Sequence, residues 1–351
     1  MSREVPFPPG LGWDDRCAAV FAPWAEAGLV PARVARVDRG AVTALTAGGE
    51  VRAGTALLDE PLAVGDWVAL DPAEPDRGVV GLVERRSAVV RRDAGGTARA
   101  QVLAANVDHV LLLHPLDGPP NLRRIERELV AAWDSGARPA VVLTKADRVD
   151  AGEAERWVGA VEAVAPGVDV LAISVVTGAG LDRVAQLVGP ERTVVLLGPS
   201  GAGKSSLANA LAGEERQEVA EVRARDRKGR HTTVASQLVP LAGGGLLIDT
   251  PGLRALALWD AEEGLGLAFP DVDELAEGCR FADCEHASEP DCAVRAAVEE
   301  GTLSEQRLES WRRLRAELRR LELDRDARAK AEERRRTRPL HKAMRRFPKR
   351  L

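Results

Sequence analysis

The chain has 351 residues, of which 45% are hydrophobic and 29% charged, which is enough material for two or three domains with buried cores. These values exclude a chain that is disordered throughout and a collagen-like repeat. The first ten residues lack the basic start and apolar run of a signal peptide, and no apolar stretch approaches 18 residues. We therefore expect a cytoplasmic protein that does not enter a membrane.

The N-terminal third divides into two parts. Residues 1–28 are rich in Pro and aromatic side chains and are predicted to form an irregular leader. Residues 29–97 carry short alternating apolar runs that predict a small β-barrel or sandwich, namely Ala32–Val37, Ala41–Leu45, Asp66–Leu70 and Gly78–Val83. Barrels of this size often bind oligonucleotides, and the alternative is a spacer domain.

Residues 98–260 change to an alternation of apolar strands and amphipathic helices. This rhythm predicts a mostly parallel sheet covered on both faces, an α/β fold. The predicted strands are Val107–Leu113, Pro139–Leu143, Val168–Ile173, Thr193–Leu197, Val234–Leu241 and Gly245–Ile248. The helical stretches between them are Asn121–Ser135, Gly152–Val164 and Leu181–Val188, with another starting at Gly203.

A phosphate-binding loop follows the fourth of these strands. The segment Gly198–Ser205 fits G-x-x-x-x-G-K-[ST] between a strand and a helix, which is the context the motif requires. Its backbone N–H groups would face a phosphate chain, Lys204 would neutralise the β- and γ-phosphates, and Ser205 would hold Mg²⁺. The candidate phosphate-binding residues are Gly198, Pro199, Ser200, Gly201, Ala202, Gly203, Lys204, Ser205 and Ser206.

Further motifs at strand ends predict that the nucleotide is GTP. Asp249 follows a strand and could reach Mg²⁺ through water, while Gly252 could offer its N–H group to the γ-phosphate. Asp147 could accept hydrogen bonds from N1–H and the 2-amino group of guanine, a pairing that adenine cannot offer. Ser174 would contribute to the wall of the guanine site, together with the rest of the guanine motif, Thr144, Lys145 and Ala146. A small-molecule kinase is disfavoured because it would not need this guanine selection.

The order of the motifs is unusual, because the guanine motif precedes the phosphate loop and Asp249 comes last. A permuted chain can form the same sheet, since permutation only relocates the termini. The central domain is therefore predicted to be a circularly permuted GTPase.

Residues 261–333 are predicted to form a mainly helical domain around a metal. Cys279, Cys284, His286 and Cys292 have the spacing C-x₄-C-x-H-x₅-C, and three thiolates with one imidazole suit a closed tetrahedral zinc site. We expect one structural Zn²⁺ per chain. A long helix is predicted to open at Thr302, with Glu305 completing a capping box.

Residues 334–351 are predicted to form a basic tail. The net charge of −5 argues against nucleic acid, but residues 301–351 hold 18 Lys and Arg against 8 Asp and Glu. The other 300 residues hold 31 against 46. This asymmetry predicts an anionic partner for the tail, and the alternative is a solvated helix end.

These motifs together resemble the ribosome small-subunit-dependent GTPase A family of circularly permuted bacterial GTPases. The resemblance rests on the permuted order, on residues 229–233 (Gly-Arg-His-Thr-Thr) as first switch, on residues 104–108 (Ala-Ala-Asn-Val-Asp), and on the cysteine–histidine cluster. It implies an N-terminal OB-fold barrel, a permuted GTPase and a C-terminal zinc domain. It also implies late maturation of the small ribosomal subunit as the function, with GTP hydrolysis stimulated by the subunit and its rRNA as partner.

Two positions depart from common GTPase patterns. Thr144 stands where many GTPases have Asn, which is expected to weaken one contact with the guanine edge. Leu253 occupies the position where Ras-like enzymes carry a water-positioning Gln, so intrinsic hydrolysis should be slow. His231 is the candidate to replace that Gln, and Thr232 or Thr233 beside it could bind Mg²⁺. An ordinary exposed switch residue is the alternative for His231.

The predicted function is thus a monomeric GTPase that converts GTP to GDP and phosphate as an assembly factor of the small ribosomal subunit. The alternative is a GTP-binding, zinc-containing regulator that binds nucleic acid and hydrolyses little GTP, which Leu253 keeps open.

Overall fold

The computed structural model describes residues 10–73, 78–92, 100–213, 236–250, 258 and 261–323. The first switch with His231, Thr232 and Thr233, the pair Gly252 and Leu253, and the basic tail 334–351 lie outside these residues. Within them, no helix is both long and apolar enough to cross a bilayer.

The N-terminal domain is a five-stranded antiparallel sheet with the strand order β3-β2-β1-β4-β5, as the OB-fold prediction requires. Alternate residues of β1, β2 and β4 enclose one apolar core that includes Val34, Val42 and Val68. The strands are β1 Val30–Asp38, β2 Ala41–Thr46, β3 Gly49–Gly54, β4 Trp67–Leu70 and β5 Val79–Leu82. The sequence did not predict β3, a Gly-flanked and mostly exposed edge strand.

The prediction of an irregular leader over residues 1–28 is wrong for residues 15–26, because Asp15–Glu26 form helix α1. The side chain of Asp14 caps this helix by accepting a 2.8 Å hydrogen bond from the N–H of Cys17. Phe21 and its neighbours pack on Trp67 at the outer face of the barrel. Tertiary packing thus stabilises a helix that contains Pro23 and whose sequence gives a weak helical signal.

A β-hairpin joins the barrel to the central domain. Its strands, β6 Ala88–Arg92 and β7 Ala100–Ala105, pair antiparallel and were not predicted. The boundary expected between residues 97 and 98 lies outside the described residues, between β6 and β7 in the sequence.

The central domain is a six-stranded sheet with the order β10-β9-β8-β11-β13-β12, parallel except for β12. Alternate strand residues enter two cores, one on each face, as the uninterrupted apolar runs predict. The strands are β8 His109–Pro115, β9 Arg138–Thr144, β10 Asp169–Ala172, β11 Thr193–Leu197, β12 Gln237–Pro240 and β13 Leu246–Asp249. The helices are α2 Leu122–Asp134, α3 Ala151–Glu162, α4 Leu181–Val188 and α5 Lys204–Ala212. The predicted mostly parallel α/β fold is confirmed.

The C-terminal part is helical, as predicted, with α6 Glu262–Ala268, α7 Pro270–Ala276, α8 Ala293–Glu299 and α9 over 305–323. Helix α9 begins later than predicted, because Ser304 rather than Thr302 caps it: the Ser304 hydroxyl accepts a 3.1 Å hydrogen bond from the N–H of Arg307. Helix α6 lies so close to α2 that a Cβ at Gly264 would come within 2.4 Å of the Val130 carbonyl oxygen. Glycine at this position therefore permits the two helices to pack.

A buried arginine connects the barrel to the central sheet. The guanidinium of Arg33 donates hydrogen bonds to the carbonyl oxygens of Gly65 (3.2 Å) and Asn106 (3.0 Å), to the Thr193 hydroxyl (2.9 Å) and to the Leu11 carbonyl. Burial lowers the pKa of Arg33 to about 10, so the side chain stays protonated at neutral pH. One side chain thus joins the barrel, the N-terminal segment and the start of β11.

A second buried arginine connects the C-terminal helices to the central domain. Arg307 donates to both carboxylate oxygens of Asp271 (3.0 Å each) and to Oε1 of Glu126 on α2 (3.2 Å). It also donates to the carbonyl oxygens of Val164 (2.9 Å) and Ala268 (2.7 Å). The side chains of Arg307 and Glu126 are only 4% and 3% exposed, so the buried charge of Glu126 depends on Arg307 for its compensation.

Replacing Arg307 by Met should lower the free energy of unfolding by about 3–5 kcal/mol, because Glu126 would stay buried without its cationic partner. Urea unfolding of the full chain measures this loss. Arg127→Met is the matched control, since the pair of Arg127 with Glu317 joins the same two helices but is about one-third exposed. The control should cost no more than about 1 kcal/mol. Equal losses in the two variants would contradict the role given to burial.

Candidate nucleotide site and metal centre

The predicted nucleotide-binding residues lie at or just after the carboxyl ends of four parallel strands, at one edge of the sheet. Strands β9, β10, β11 and β13 run in the same direction, so their carboxyl ends lie at this edge. The guanine motif follows β9, Ser174 follows β10, the phosphate loop follows β11, and Asp249 ends β13. Open α/β sheets bind ligands at this edge. The permuted chain order therefore does not separate the motifs in space.

The phosphate loop requires glycine because its backbone adopts positive φ angles and, at one position, lies too close to a neighbouring strand for a side chain. Gly198, Gly201 and Gly203 have φ values of 148°, 79° and 89°. A Cβ at Gly198 would lie 2.4 Å from the carbonyl oxygen of Leu113 on the neighbouring strand β8. The loop can therefore turn directly from β11 into α5, and the glycines leave its backbone accessible.

Lys204 is the first residue of helix α5. Its ammonium group donates 2.8 Å hydrogen bonds to the carbonyl oxygens of Gly198 and Pro199, which holds its charge over the loop. Ser205 and Ser206 follow in the first helical turn and are exposed. The N–H groups of a first turn have no partners within the helix, so this end combines a fixed cation with free donors. The arrangement suits a polyphosphate.

The hydroxyl of Thr144 contacts the phosphate loop. Its Oγ1 donates a 2.8 Å hydrogen bond to the carbonyl oxygen of Ala202, and both residues are buried. The sequence assigned Thr144 to the guanine edge and missed this link, because only the sheet brings residues 58 positions apart together. The last residue of β9 thus supports the loop between β11 and α5.

Asp147 and Ser174 meet in space, as expected for two parts of one base site. The Ser174 hydroxyl donates a 2.5 Å hydrogen bond to Oδ1 of Asp147, and this bond lowers the pKa of the carboxyl group. Asp147 is therefore ionised at neutral pH and is available to accept two N–H groups of a base. The N–H of Ala146 donates to the Ile173 carbonyl at 3.0 Å, which fixes the two loops against each other.

Lys145 adopts a left-handed conformation with φ 61°, and its ammonium group lies 3.3 Å from Oδ2 of Asp117. Asp117 follows β8 and is not among the site residues predicted from the sequence. Asp117 could have been predicted from its position directly after a buried strand, because Ser174 and Asp249 were predicted as site residues from their positions at strand ends. Asp249 lies at the end of β13, one strand from the phosphate loop.

The metal-binding residues predicted from their spacing form one cluster. The ligand atoms of Cys279, Cys284, His286 and Cys292 all lie within 4.8 Å of one another. The Cys279 and Cys292 sulfurs are 3.8 Å apart, and Nδ1 of His286 lies 3.6 Å and 3.4 Å from them. A tetrahedron with Zn–S bonds of about 2.3 Å and a Zn–N bond of about 2.0 Å requires separations of roughly 3.8 Å and 3.5 Å. The residues fit zinc in both chemistry and geometry.

The surroundings of the cluster favour a thiolate at Cys279. Burial raises the pKa of the Cys279 thiol, but the N–H groups of Val294 and Ala293 at the start of α8, together with hydrogen bonds from Cys292 and Cys284, lower it below its usual value. Burial raises the pKa of Cys284 to about 11. A bound cation would therefore be needed to keep the thiolates together, as in closed structural sites. The His286 ring also packs against Trp311 of α9, with ring centroids 4.9 Å apart.

Comparisons with known proteins agree with this architecture. A model described as RsgA GTPase matches residues 82–259. The small ribosomal subunit biogenesis GTPase RsgA of Streptomyces coelicolor is 51% identical over 327 residues, covering 92% of this chain and 89% of that protein. The protein of the same name from Opitutus terrae is 45% identical and covers 88% of each chain.

Two solved structures are similar in fold. The crystal structure of YjeQ from Thermotoga maritima has a TM-score of 0.62 and 26% identity, covering 83% of this chain and 98% of that chain. YloQ, whose structure is described as a circularly permuted GTPase, has a TM-score of 0.62 and 23% identity, covering 83% and 95%. The permuted arrangement of the sheet is thus found in solved structures.

Replacing Thr144 by Val should lower nucleotide affinity about tenfold, because the buried Ala202 carbonyl loses its donor and the loop loses its support. The loss should be the same for GTP and ITP, since the hydroxyl contacts the loop and not the base. Thr144→Ser keeps the hydroxyl and is the control. Titration of both nucleotides into each variant provides the measurement, and a loss confined to GTP would assign Thr144 to the base instead.

Proposed function

This chain belongs to the RsgA GTPase family, and we propose that its sheet-edge site binds GTP and hydrolyses it to GDP and phosphate in biogenesis of the small ribosomal subunit. The observation that carries the proposal is the convergence of three groups at one sheet edge. These are the phosphate loop, the carboxylate of Asp249 at the end of β13, and the Asp147–Ser174 pair. The chain spans 89% of the Streptomyces coelicolor relative, so the proposal concerns the same set of domains.

The phosphate groups would be held by charge and by backbone donors. The N–H groups of the segment Gly198–Ser206 would surround them, and Lys204 would exchange its carbonyl partners for phosphate oxygens. Ser205 and Asp249 would hold Mg²⁺, which supplies charge neutralisation to the leaving phosphate. Gly252, by its place after β13, would offer its N–H group to the γ-phosphate.

Guanine would be selected by Asp147. The carboxylate is ionised and fixed by Ser174, so it can accept N1–H and the 2-amino group of guanine together. Adenine offers no such pair of donors and would leave the carboxylate uncompensated. A small-molecule kinase would not need this selection and is therefore disfavoured.

The attacking water needs a group to orient it, and Leu253 cannot do so. We infer that His231 supplies this function, with Thr232 or Thr233 as a further Mg²⁺ ligand. The support is their place in the sequence at the first switch. If His231 orders the water only in the stimulated state, hydrolysis by the chain alone should be slow.

Replacing His231 by Ala should lower subunit-stimulated turnover by at least about a hundredfold, since a water-orienting group contributes to the transition state. GTP affinity should not change. His231→Gln should restore part of the rate, because an amide can also orient water. Single-turnover hydrolysis and a separate binding titration distinguish the two effects, and an unchanged rate in the Ala variant would refute the assignment.

The cysteine–histidine cluster would hold one structural Zn²⁺, because its four ligands leave no position for substrate. Removing one ligand should release the metal and destabilise the helices that carry it. Metal analysis of purified protein should find about one zinc per chain in the wild type and a large loss in Cys284→Ser. A Cys284→Ser protein that retained full zinc would contradict the site.

The partner would be the small ribosomal subunit together with its rRNA. The barrel, the zinc module and the basic tail 334–351 would contact it, and Arg-rich tails bind the phosphate backbone without sequence preference. We also infer that the protein acts as a monomer in the cytoplasm.

The decisive experiment measures GTP hydrolysis by the full chain alone, with isolated small subunits, and with free RNA. Subunits should raise the rate by at least about tenfold, as expected when a partner completes an unfinished catalytic site. A chain ending at residue 333 should bind subunits with a weaker salt dependence but bind GTP normally. Stimulation by free RNA alone, or none at all, would favour the GTP-binding regulator with little hydrolysis.

A further inference from the structure

The turn that carries His286 is held by a carboxylate that is not itself a metal ligand. Glu289 accepts backbone hydrogen bonds from Glu285 (2.9 Å), Ala287 (2.7 Å) and Ser288 (2.9 Å). Two of these donors, Glu285 and Ala287, are the residues on either side of His286. The carboxylate therefore closes the turn around the imidazole ligand.

The three cysteine ligands are held differently, by ordinary secondary structure. The N–H of Cys279 donates to Ala276 at the end of α7 (3.0 Å), and the carbonyl of Cys292 begins α8 by accepting from Ala296 (3.1 Å). Cys284 closes a short turn by donating to Phe281 (3.2 Å). His286 belongs to neither helix, so its position depends on the turn.

The conformation of this turn also calls for external support. His286 has a φ of 56°, in the left-handed region that a residue with a side chain seldom adopts. Trp311 supports the ring but does not fix the backbone. The N–H groups of Glu289 itself, Glu285, Ala287 and Ser288 lower the pKa of the Glu289 carboxyl group to about 2, so it remains an ionised acceptor.

We propose that Glu289 is a positioning residue of the metal centre, which holds the His286 turn in the geometry that the metal requires before the metal binds. Glu289 contacts no ligand atom and acts through backbone N–H groups. Groups outside the coordination sphere that orient ligands typically change metal affinity by about 10–100-fold when removed. The inference rests on the zinc site of the proposed function.

The experiment measures zinc affinity of the full-length protein by competition with a chromogenic chelator. Glu289→Ala removes both acceptor oxygens, and with them the three hydrogen bonds, and should weaken zinc binding by about 10–100-fold. Glu289→Gln keeps one acceptor oxygen and should lose less. Asp283→Ala is the matched control. Asp283 is exposed, precedes Cys284 in the sequence and makes no hydrogen bond within the described structure, so this substitution removes only one negative charge near the metal ligands. Its zinc affinity should stay within about twofold of the wild type, as expected for an exposed charge.

Cobalt substitution supplies a second readout. Co²⁺ in the wild type should show the intense ligand-field absorption of a tetrahedral site, and Glu289→Ala should weaken or shift it because the imidazole is no longer held in place. GTP affinity should be equal in all variants, since the nucleotide residues lie in another domain.

The outcomes distinguish a failure of the positioning role of Glu289 from a failure of the zinc site itself. If the wild type holds zinc and Glu289→Ala binds it with unchanged affinity and cobalt spectrum, the positioning role is wrong while the metal site stands. If Asp283→Ala loses as much affinity as Glu289→Ala, the effect is one of charge and the positioning role is again overturned. A wild type that binds no zinc removes both proposals.

Discussion

The parallel direction of five adjacent strands, β10, β9, β8, β11 and β13, is the constraint on which the nucleotide site depends. Because β9, β10, β11 and β13 share one direction, the segments that follow them meet at a single edge, whatever their order along the chain. The hydrogen bond from Thr144 to Ala202 shows how close this convergence is, since it joins two motifs that belong to different strands. Permutation changes what precedes and follows the site but leaves its geometry in place.

Two buried guanidinium groups decide how the flanking domains sit on this sheet. Arg33 compensates its charge with carbonyl and hydroxyl oxygens and binds the barrel at the start of β11, away from the nucleotide edge. Arg307 uses two carboxylates and binds the C-terminal helices to α2. Arginine suits both places because its planar group donates in several directions at once.

The metal centre is continuous with the main core. Cys284, Cys292 and Trp311 belong to the same apolar cluster as Val110 and Leu112 of strand β8. A metal bound to these ligands would therefore join the His286 turn to the core on which α9 packs. Any change in the orientation of this domain would have to disturb a shared core, so metal loading and the position of the C-terminal helices are physically coupled.

The sequence by itself determined the elements whose signals are local. The phosphate loop, the strand runs of the α/β domain and the ligand spacing of the cysteine cluster depend on neighbouring residues, and the structure has the predicted fold there. Helix α1, the β6–β7 hairpin and the hydrogen bonds of Arg33, Arg307 and Glu289 were decided only by the tertiary structure. A helix containing Pro23 forms because Phe21 has an aromatic surface to pack against, which no local pattern encodes. A buried arginine is likewise indistinguishable in sequence from an exposed one, because its partners lie in distant segments that only folding brings together.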